Sequence, residues 1–143
     1  MYSVQGGCHC GNISYVAEFT KELSTYKPRA CDCDFCTSHG SSYVSDRNGS
    51  LIIEIRNICD VSKYRQGSRI ADFLICKNCG VMIGVCYEED ERIFGSINVR
   101  SSAVYSNFGE TQTIKLLQLS DEERVSRWKQ YWFEKVLIKY KNR

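Results

Sequence analysis

Seven of the nine cysteines in this 143-residue chain lie in three tight groups. The groups are Cys8 and Cys10; Cys31, Cys33 and Cys36; and Cys76 and Cys79. Zinc takes four protein ligands in a structural site and typically three in a catalytic site, where one position stays open. Seven ligands therefore divide naturally as four plus three. The alternative is that all seven serve stability alone, because zinc binding coupled to folding can supply about 10–16 kcal/mol.

Each of the two outer groups has a spacing that suits metal binding. In an extended strand, residues two positions apart point to the same face, so Cys8 and Cys10 could both reach one ion from a strand. His9 would then point away, and we predict that it is not a ligand. Cys76 and Cys79 form a C-x-x-C motif followed by Gly80, which predicts a tight knuckle around the metal. Two such close pairs together are a strong zinc signal.

The middle group places three sulfurs within six residues, and a single ion could take all of them. One position would then stay open unless another residue fills it. His39 could be that residue, although a plain loop position is the favoured interpretation. Asp32 and Asp34 lie between or beside the ligands, and we interpret them as solvated carboxylates rather than as catalytic bases.

The remaining two cysteines stand apart from the groups, and we assign neither to metal. Cys86 lies in an apolar run, where cysteine commonly behaves as a small buried hydrophobe. Cys59 has no such context.

The composition restricts the class of protein. The 19 basic and 17 acidic residues give a net charge of +2, which is too balanced to indicate nucleic-acid binding. No apolar run approaches the length of a membrane span, and the N-terminus does not resemble a secretory signal. An odd cysteine count in a chain of this length favours metal over disulfides. We therefore predict a cytoplasmic protein that binds neither membranes nor nucleic acids.

The pattern of the rest of the chain predicts one domain over residues 1–143. Short runs of alternating or β-branched residues predict an all-β fold with minor α content, with strands over Ile13–Phe19, Tyr43–Val44, Leu51–Ile55, Val61–Tyr64, Ile70–Ile75, Val81–Tyr87 and Ile93–Val99. A capping-box pattern at Ser120 and Glu123 opens a predicted amphipathic helix over residues 121–140. Its aromatic stripe, which includes Trp128 and Trp132, is interpreted as core packing.

The three cysteine spacings together resemble the glutathione-dependent formaldehyde-activating enzyme family, to which centromere protein V also belongs. The resemblance rests on Gly7-Cys8-His9-Cys10-Gly11, Cys31-x-Cys33-x-x-Cys36 and Cys76-x-x-Cys79-Gly80, and runs from about Ser3 to Val99. It implies antiparallel sheets in a tent-like arrangement with zinc between loops. It also implies that Cys8, Cys10, Cys76 and Cys79 form a closed structural zinc site, and that Cys31, Cys33 and Cys36 hold a second, reactive zinc.

The resemblance further implies a carbon–sulfur lyase-type activity. The expected enzyme forms or cleaves an S-hydroxymethyl adduct of a small thiol, such as glutathione, with a small aldehyde, such as formaldehyde. Thr37 and Ser38 follow the third cysteine of the middle group, where the family often has a basic residue. Two alternatives remain: a zinc-stabilised binding module without chemistry, and a lyase that acts on the adduct of a different small thiol.

Overall fold

The computed structural model describes residues 1–67, 69–116 and 118–142, and within them the protein is built mainly from two β-sheets. The first sheet has four strands, in the order β1 (Tyr2–Gly7), β2 (Ile13–Phe19), β5 (Ser50–Asn57) and β11 (Lys135–Asn142). Its pairs are antiparallel except that β11 runs parallel to β5.

The second sheet has seven strands, in the order β10 (Gln112–Ile114), β3 (Arg29–Cys31), β4 (Tyr43–Val44), β9 (Arg92–Asn98), β8 (Met82–Glu89), β7 (Asp72–Cys76) and β6 (Val61–Tyr64). Here β10 runs parallel to β3, and the other pairs are antiparallel. Two α-helices are present in the described residues, α1 (Asp34–His39) and α2 (Asp121–Tyr131). The predicted all-β class with minor α content is thus confirmed.

All of the predicted strands are found, and their ends differ from the prediction by at most two residues. Strand β2 shows the alternation that predicted it, since every second side chain from Ile13 to Phe19 is buried. The β8–β9 hairpin turns at Asp90 and Glu91, both with positive φ, so the turn is tighter than the four acidic residues suggested. Strands β1, β3, β10 and β11 were not predicted.

The predicted helix over residues 121–140 is wrong in its second half. Helix α2 begins at the predicted capping box, in which Ser120 Oγ accepts from Glu123 N–H and Glu123 Oε1 accepts from Ser120 N–H. It ends at Tyr131, and residues 135–142 form β11. The reason is tertiary: Val136, Ile138 and Tyr140 alternate with lysines and Leu137, and this period-two segment pairs with the free edge of β5.

The core lies on both faces of the second sheet. On one face, residues such as Ile83 and Ile97 pack against the buried side chains of the first sheet, including Phe19 and Ile53. On the other face, Phe73 belongs to a second cluster that also holds residues of the middle cysteine group; its buried members are Cys33, Cys36, Tyr43, Ala71, Phe73, Met82, Val85, Phe94 and Trp132. The second sheet is therefore the wall that separates the inter-sheet core from the region of the middle cysteine group.

None of the helices in the described residues is long and apolar enough to cross a membrane.

Candidate metal centres and the adjoining cavity

The outer cysteine pairs meet in one cluster at the ends of the two sheets. Cys8 and Cys10 lie in the turn between β1 and β2, whereas Cys76 ends β7 and Cys79 lies in the turn between β7 and β8. Their four sulfurs lie within 4.8 Å of one another. Cys10 Sγ is 3.7 Å from Cys8 Sγ and 3.5 Å from Cys76 Sγ. Sulfurs bound tetrahedrally at about 2.3 Å lie about 3.8 Å apart, so this spacing fits a four-thiolate metal site.

The predicted backbone conformation is wrong at one cysteine pair and confirmed at the other. The expected extended geometry at Cys8 and Cys10 is wrong, because the chain reverses there: Cys8 N–H donates to Ile13 O at 2.8 Å, and Gly11 has a φ of +87°. The predicted knuckle at the other pair is confirmed. Gly80, at a φ of +80°, donates its N–H to Cys76 O at 2.8 Å. Both pairs therefore approach the site from tight turns.

Ionisation of this cluster is favoured at two of its sulfurs. Hydrogen bonds from the Asn78 side chain and from the Asn12 backbone lower the pKa of Cys10, which is exposed. Burial opposes ionisation of Cys79, but backbone N–H donors outweigh it and lower its pKa to about 6. Burial raises the pKa of Cys76 to about 12. Thiolates are the metal-binding form of cysteine, so the lowered pKa values of Cys10 and Cys79 favour the form of the cluster that could hold a cation.

The middle group forms a second cluster at the start of α1. The sulfurs of Cys31, Cys33 and Cys36 lie within 4.8 Å of one another. Cys31 ends β3, and Cys33 is the N-cap of α1, where its sulfur accepts from Cys36 N–H at 3.4 Å. We call these three cysteines the triad. Its sulfurs could hold a metal ion with one position left for another ligand.

Polar side chains around the triad can stabilise negative charge on its sulfurs. Tyr43 OH lies 3.3 Å from Cys36 Sγ and 3.0 Å from Ser41 Oγ, and Gln66 Nε2 lies 4.0 Å from Cys33 Sγ. Burial raises the pKa of Tyr43, so the phenol stays protonated and can donate. The pKa of Cys31 is lowered to about 6, first by the Cys36 thiol and then by Cys33 N–H.

The other candidate residues lie outside both clusters. Within residues 1–67, 69–116 and 118–142, neither His9 nor His39 joins a group of metal-ligating atoms, and the ring of His39 instead lies 4.5 Å from that of Phe35. Asp32 and Asp34 are exposed, as predicted. Cys86 is buried in the core and Cys59 is exposed.

The triad lines a cavity of about 160 Å³. Its floor is formed by the second sheet through Tyr43, Phe73 and Val85. Trp128 and Trp132 form an indole wall, with ring centroids 4.9 Å apart and an interplanar angle of 15°. The interpretation of this stripe as core packing holds for Trp132, which is 8% exposed, but both indoles also face the cavity. No residue of the four-cysteine cluster is among the described residues that line it.

Three arginines also line the cavity, and none of them was predicted from the sequence as a site residue. They are Arg29, Arg124 and Arg127. Arg29 precedes Cys31 by two residues in β3, so strand periodicity could have placed both side chains on one face. The pKa of Arg29 is lowered to about 10 by burial and by the nearby charge of Arg127, and its guanidinium remains charged at neutral pH. Nothing in the sequence of α2 could have revealed that Arg127 meets Arg29.

Comparison with known proteins shows a likeness in fold. No family profile matches this chain. No curated protein matches it either. A crystal structure of a Rhodobacter sphaeroides protein is similar, with a TM-score of 0.59 and 24% sequence identity over 77% of this chain and 99% of that chain. At this level of identity the match shows the fold alone.

Proposed function

We propose that this protein is a zinc-dependent enzyme of the carbon–sulfur lyase type, which forms or cleaves the S-hydroxymethyl adduct of a small thiol with formaldehyde. The observation that carries the proposal is the difference between the two sulfur clusters. The four-cysteine cluster can complete a tetrahedral ion by itself, whereas the triad has one ligand fewer and opens onto a cavity. A ligand in that cavity could supply the fourth ligand that the triad lacks.

The donor sets of both clusters suit zinc, which thiolates bind tightly in tetrahedral sites. In this proposal, Cys8, Cys10, Cys76 and Cys79 hold a structural zinc ion, and Cys31, Cys33 and Cys36 hold a second one. When bound to three thiolates, zinc supplies a centre of net charge about −1 that lowers the pKa of an incoming thiol and holds it as a thiolate.

The overall reaction is the addition of a thiol across the carbonyl group of the aldehyde. A carbon–sulfur bond forms, the carbonyl electron pair moves to oxygen and takes up a proton, and the thiol loses its proton; cleavage is the reverse. The described lining residues include no carboxylate and no histidine, so solvent water carries the proton. The chain therefore acts mainly by binding and orienting the two reactants.

Individual side chains have distinct roles in this proposal. Tyr43 and Gln66 donate towards the triad sulfurs and hold them in place. The indoles of Trp128 and Trp132 exclude water from one side of the reacting sulfur, which strengthens its electrostatic interactions. Resemblance to the formaldehyde-activating enzyme family, carried by the spacing of the seven cysteines, supports the choice of reaction.

The test is adduct formation from formaldehyde and glutathione, measured above the spontaneous rate with zinc-loaded protein. The substitution Cys33→Ser removes one ligand but keeps an oxygen that can cap α1, so the helix should persist. We expect the unsubstituted protein and the control Cys59→Ser, whose thiol is exposed and outside both clusters, to accelerate the reaction. Cys33→Ser should return it to the spontaneous rate. Equal rates with and without the protein, at full zinc loading, would refute this substrate assignment.

A further inference from the structure

We propose that Arg29 and Arg127 form an anion-binding subsite in the triad cavity, and that the preferred substrate is the adduct of a short thiol that carries a carboxylate group. This inference rests on the proposed function for its sulfur chemistry, but the anion subsite itself is a separate property of the cavity.

The two guanidinium groups line the same cavity and have no acidic partner in the described part of the chain. Each lines the cavity, and among the described residues neither forms an ion pair with a carboxylate. The described lining residues themselves include no aspartate or glutamate. Two half-buried like charges in one cavity repel each other, and an anion between them would remove that repulsion. The arrangement therefore favours a negatively charged ligand.

The known contacts of these arginines leave donors available. Arg29 Nη2 donates to Ser45 Oγ at 2.9 Å, and Arg127 stacks over the ring of Tyr131 at 5.0 Å. A guanidinium has five N–H donors in a planar fork that matches the two oxygens of a carboxylate. Stacking on an aromatic ring fixes the plane of Arg127 without using those donors. Both groups can thus donate to a ligand without losing their present contacts.

The arginines are not placed to neutralise the triad itself. Among the described residues, no hydrogen bond joins Arg29 or Arg127 to a triad sulfur, whereas Tyr43 and Gln66 lie within reach of two of them. The triad sulfurs therefore do not occupy the N–H donors of these two guanidinium groups. A ligand that spans the cavity would present its sulfur to the triad and its anionic end to the arginines.

The size of the cavity limits the length of such a ligand. At about 160 Å³ it is close to a cavity of about 150 Å³ that holds a single benzene ring. About six non-hydrogen atoms fill such a space, which is the size of the thiol 3-mercaptopropionate; the two further atoms of its formaldehyde adduct would extend towards the open side of the cavity. Glutathione is much larger than this space, so most of the tripeptide would lie outside the cavity while its sulfur reached the triad.

The experiment uses the tryptophan fluorescence of the zinc-loaded protein. The chain has two tryptophans, and both line the cavity, so the signal reports on this site. The probes are 3-mercaptopropionate, its uncharged analogue 3-mercapto-1-propanol, and the sulfur-free pair butanoate and butan-1-ol. We expect each carboxylate to bind at least about ten-fold more tightly than its uncharged partner, since hydrogen bonds to charged groups are the stronger ones. Zinc content after desalting verifies that the thiols have not removed the metal.

The substitution Arg127→Gln tests the assignment, with Arg100→Gln as the matched control. Arg100 also stacks over a tyrosine at 5.0 Å, that of Tyr105, but does not line the cavity. Arg127→Gln should abolish the preference for carboxylates and leave the binding of 3-mercapto-1-propanol unchanged, whereas Arg100→Gln should alter neither. If the unsubstituted protein binds charged and uncharged probes equally, or if Arg127→Gln keeps the preference, the subsite is refuted. If butanoate binds but neither thiol does, the subsite stands and the proposed thiol chemistry fails.

Discussion

The four-cysteine cluster should act as a clip that joins the two sheets through a bound metal ion. One pair of sulfurs lies in a turn of the first sheet and the other in a turn of the second. The decisive perturbation is the double substitution Cys8→Ser/Cys10→Ser, which leaves Cys76 and Cys79 without partners across the gap. A single substitution would not suffice, because three sulfurs from both turns could still hold the ion.

The magnitude follows from the length of chain that the clip closes. Cys10 and Cys76 are 66 residues apart. The loss of chain entropy for a closed loop of that length corresponds to about 4 kcal/mol at 25 °C. The triad closes only the short segment from Cys31 to Cys36, and the logarithmic dependence on loop length makes its contribution smaller by about 2 kcal/mol.

The assay is urea unfolding of the unsubstituted protein and of Cys8→Ser/Cys10→Ser, each with zinc and with a chelator. With zinc, the free energy of unfolding should fall by at least about 4 kcal/mol in the variant; with chelator, the two proteins should differ little. Comparing the two conditions separates the metal clip from any effect of serine on packing. The comparison variant Cys31→Ser/Cys33→Ser should show a smaller zinc-dependent loss. The clip would be refuted if Cys8→Ser/Cys10→Ser lost less than about 1 kcal/mol of zinc-dependent unfolding free energy. It would also be refuted if Cys31→Ser/Cys33→Ser lost more than Cys8→Ser/Cys10→Ser.

Two further predictions concern metal release and acid sensitivity. A chelator should remove a metal ion from the triad well before it removes one from the four-cysteine cluster, because the triad has one protein ligand fewer. The release is measured through the absorbance of the metal–chelator complex. Simultaneous loss of both ions would contradict an open site at the triad. Asp46 is 8% exposed, and its carboxylate accepts hydrogen bonds from Thr20 N–H, Thr20 Oγ and Tyr26 OH. Burial alone would raise the pKa of Asp46, but these hydrogen bonds outweigh burial and lower it. The ionised Asp46 therefore stabilises the folded protein at pH values above about 3.9, the pKa of aspartate in the unfolded chain. This stabilisation is lost as the pH falls through the lower pKa that Asp46 has in the folded protein. Asp46→Asn should unfold more easily by about 2–3 kcal/mol at pH 7 and show less acid dependence below about pH 4; an unchanged urea midpoint at pH 7 would contradict this.

The sequence predicted the parts of the structure that depend on local pattern. Period-two alternation located β2, and the capping box at Ser120 located the start of α2. The triad cysteines do converge, which their spacing within six residues made plausible. The partition of the other four sulfurs into one cluster was implied by the family resemblance rather than by spacing, because Cys10 and Cys76 meet only through the packing of two sheets.

The cavity could not be predicted, because its walls come from distant segments. The spacing of Arg29 from Cys31 could place both side chains on one face of β3 but does not indicate a cavity there, and Arg127 lies on a helix whose apolar face suggested only core packing. Their meeting depends on where α2 lies against the second sheet. No local property of either segment encodes that position.

The end of α2 explains how one segment serves both the core and the cavity. Trp132 has an extended backbone with a ψ of 158°, and Phe133 exchanges two backbone hydrogen bonds with Gly95, at 2.8 and 3.1 Å. Adjacent residues in extended backbone point in opposite directions. Trp132 therefore joins the cavity side of the second sheet, while the fully buried Phe133 packs 5.3 Å from Phe19 between the sheets. Had the helix continued to residue 140, these neighbours would have pointed about 100° apart instead of in opposite directions, and β11 could not have paired with β5.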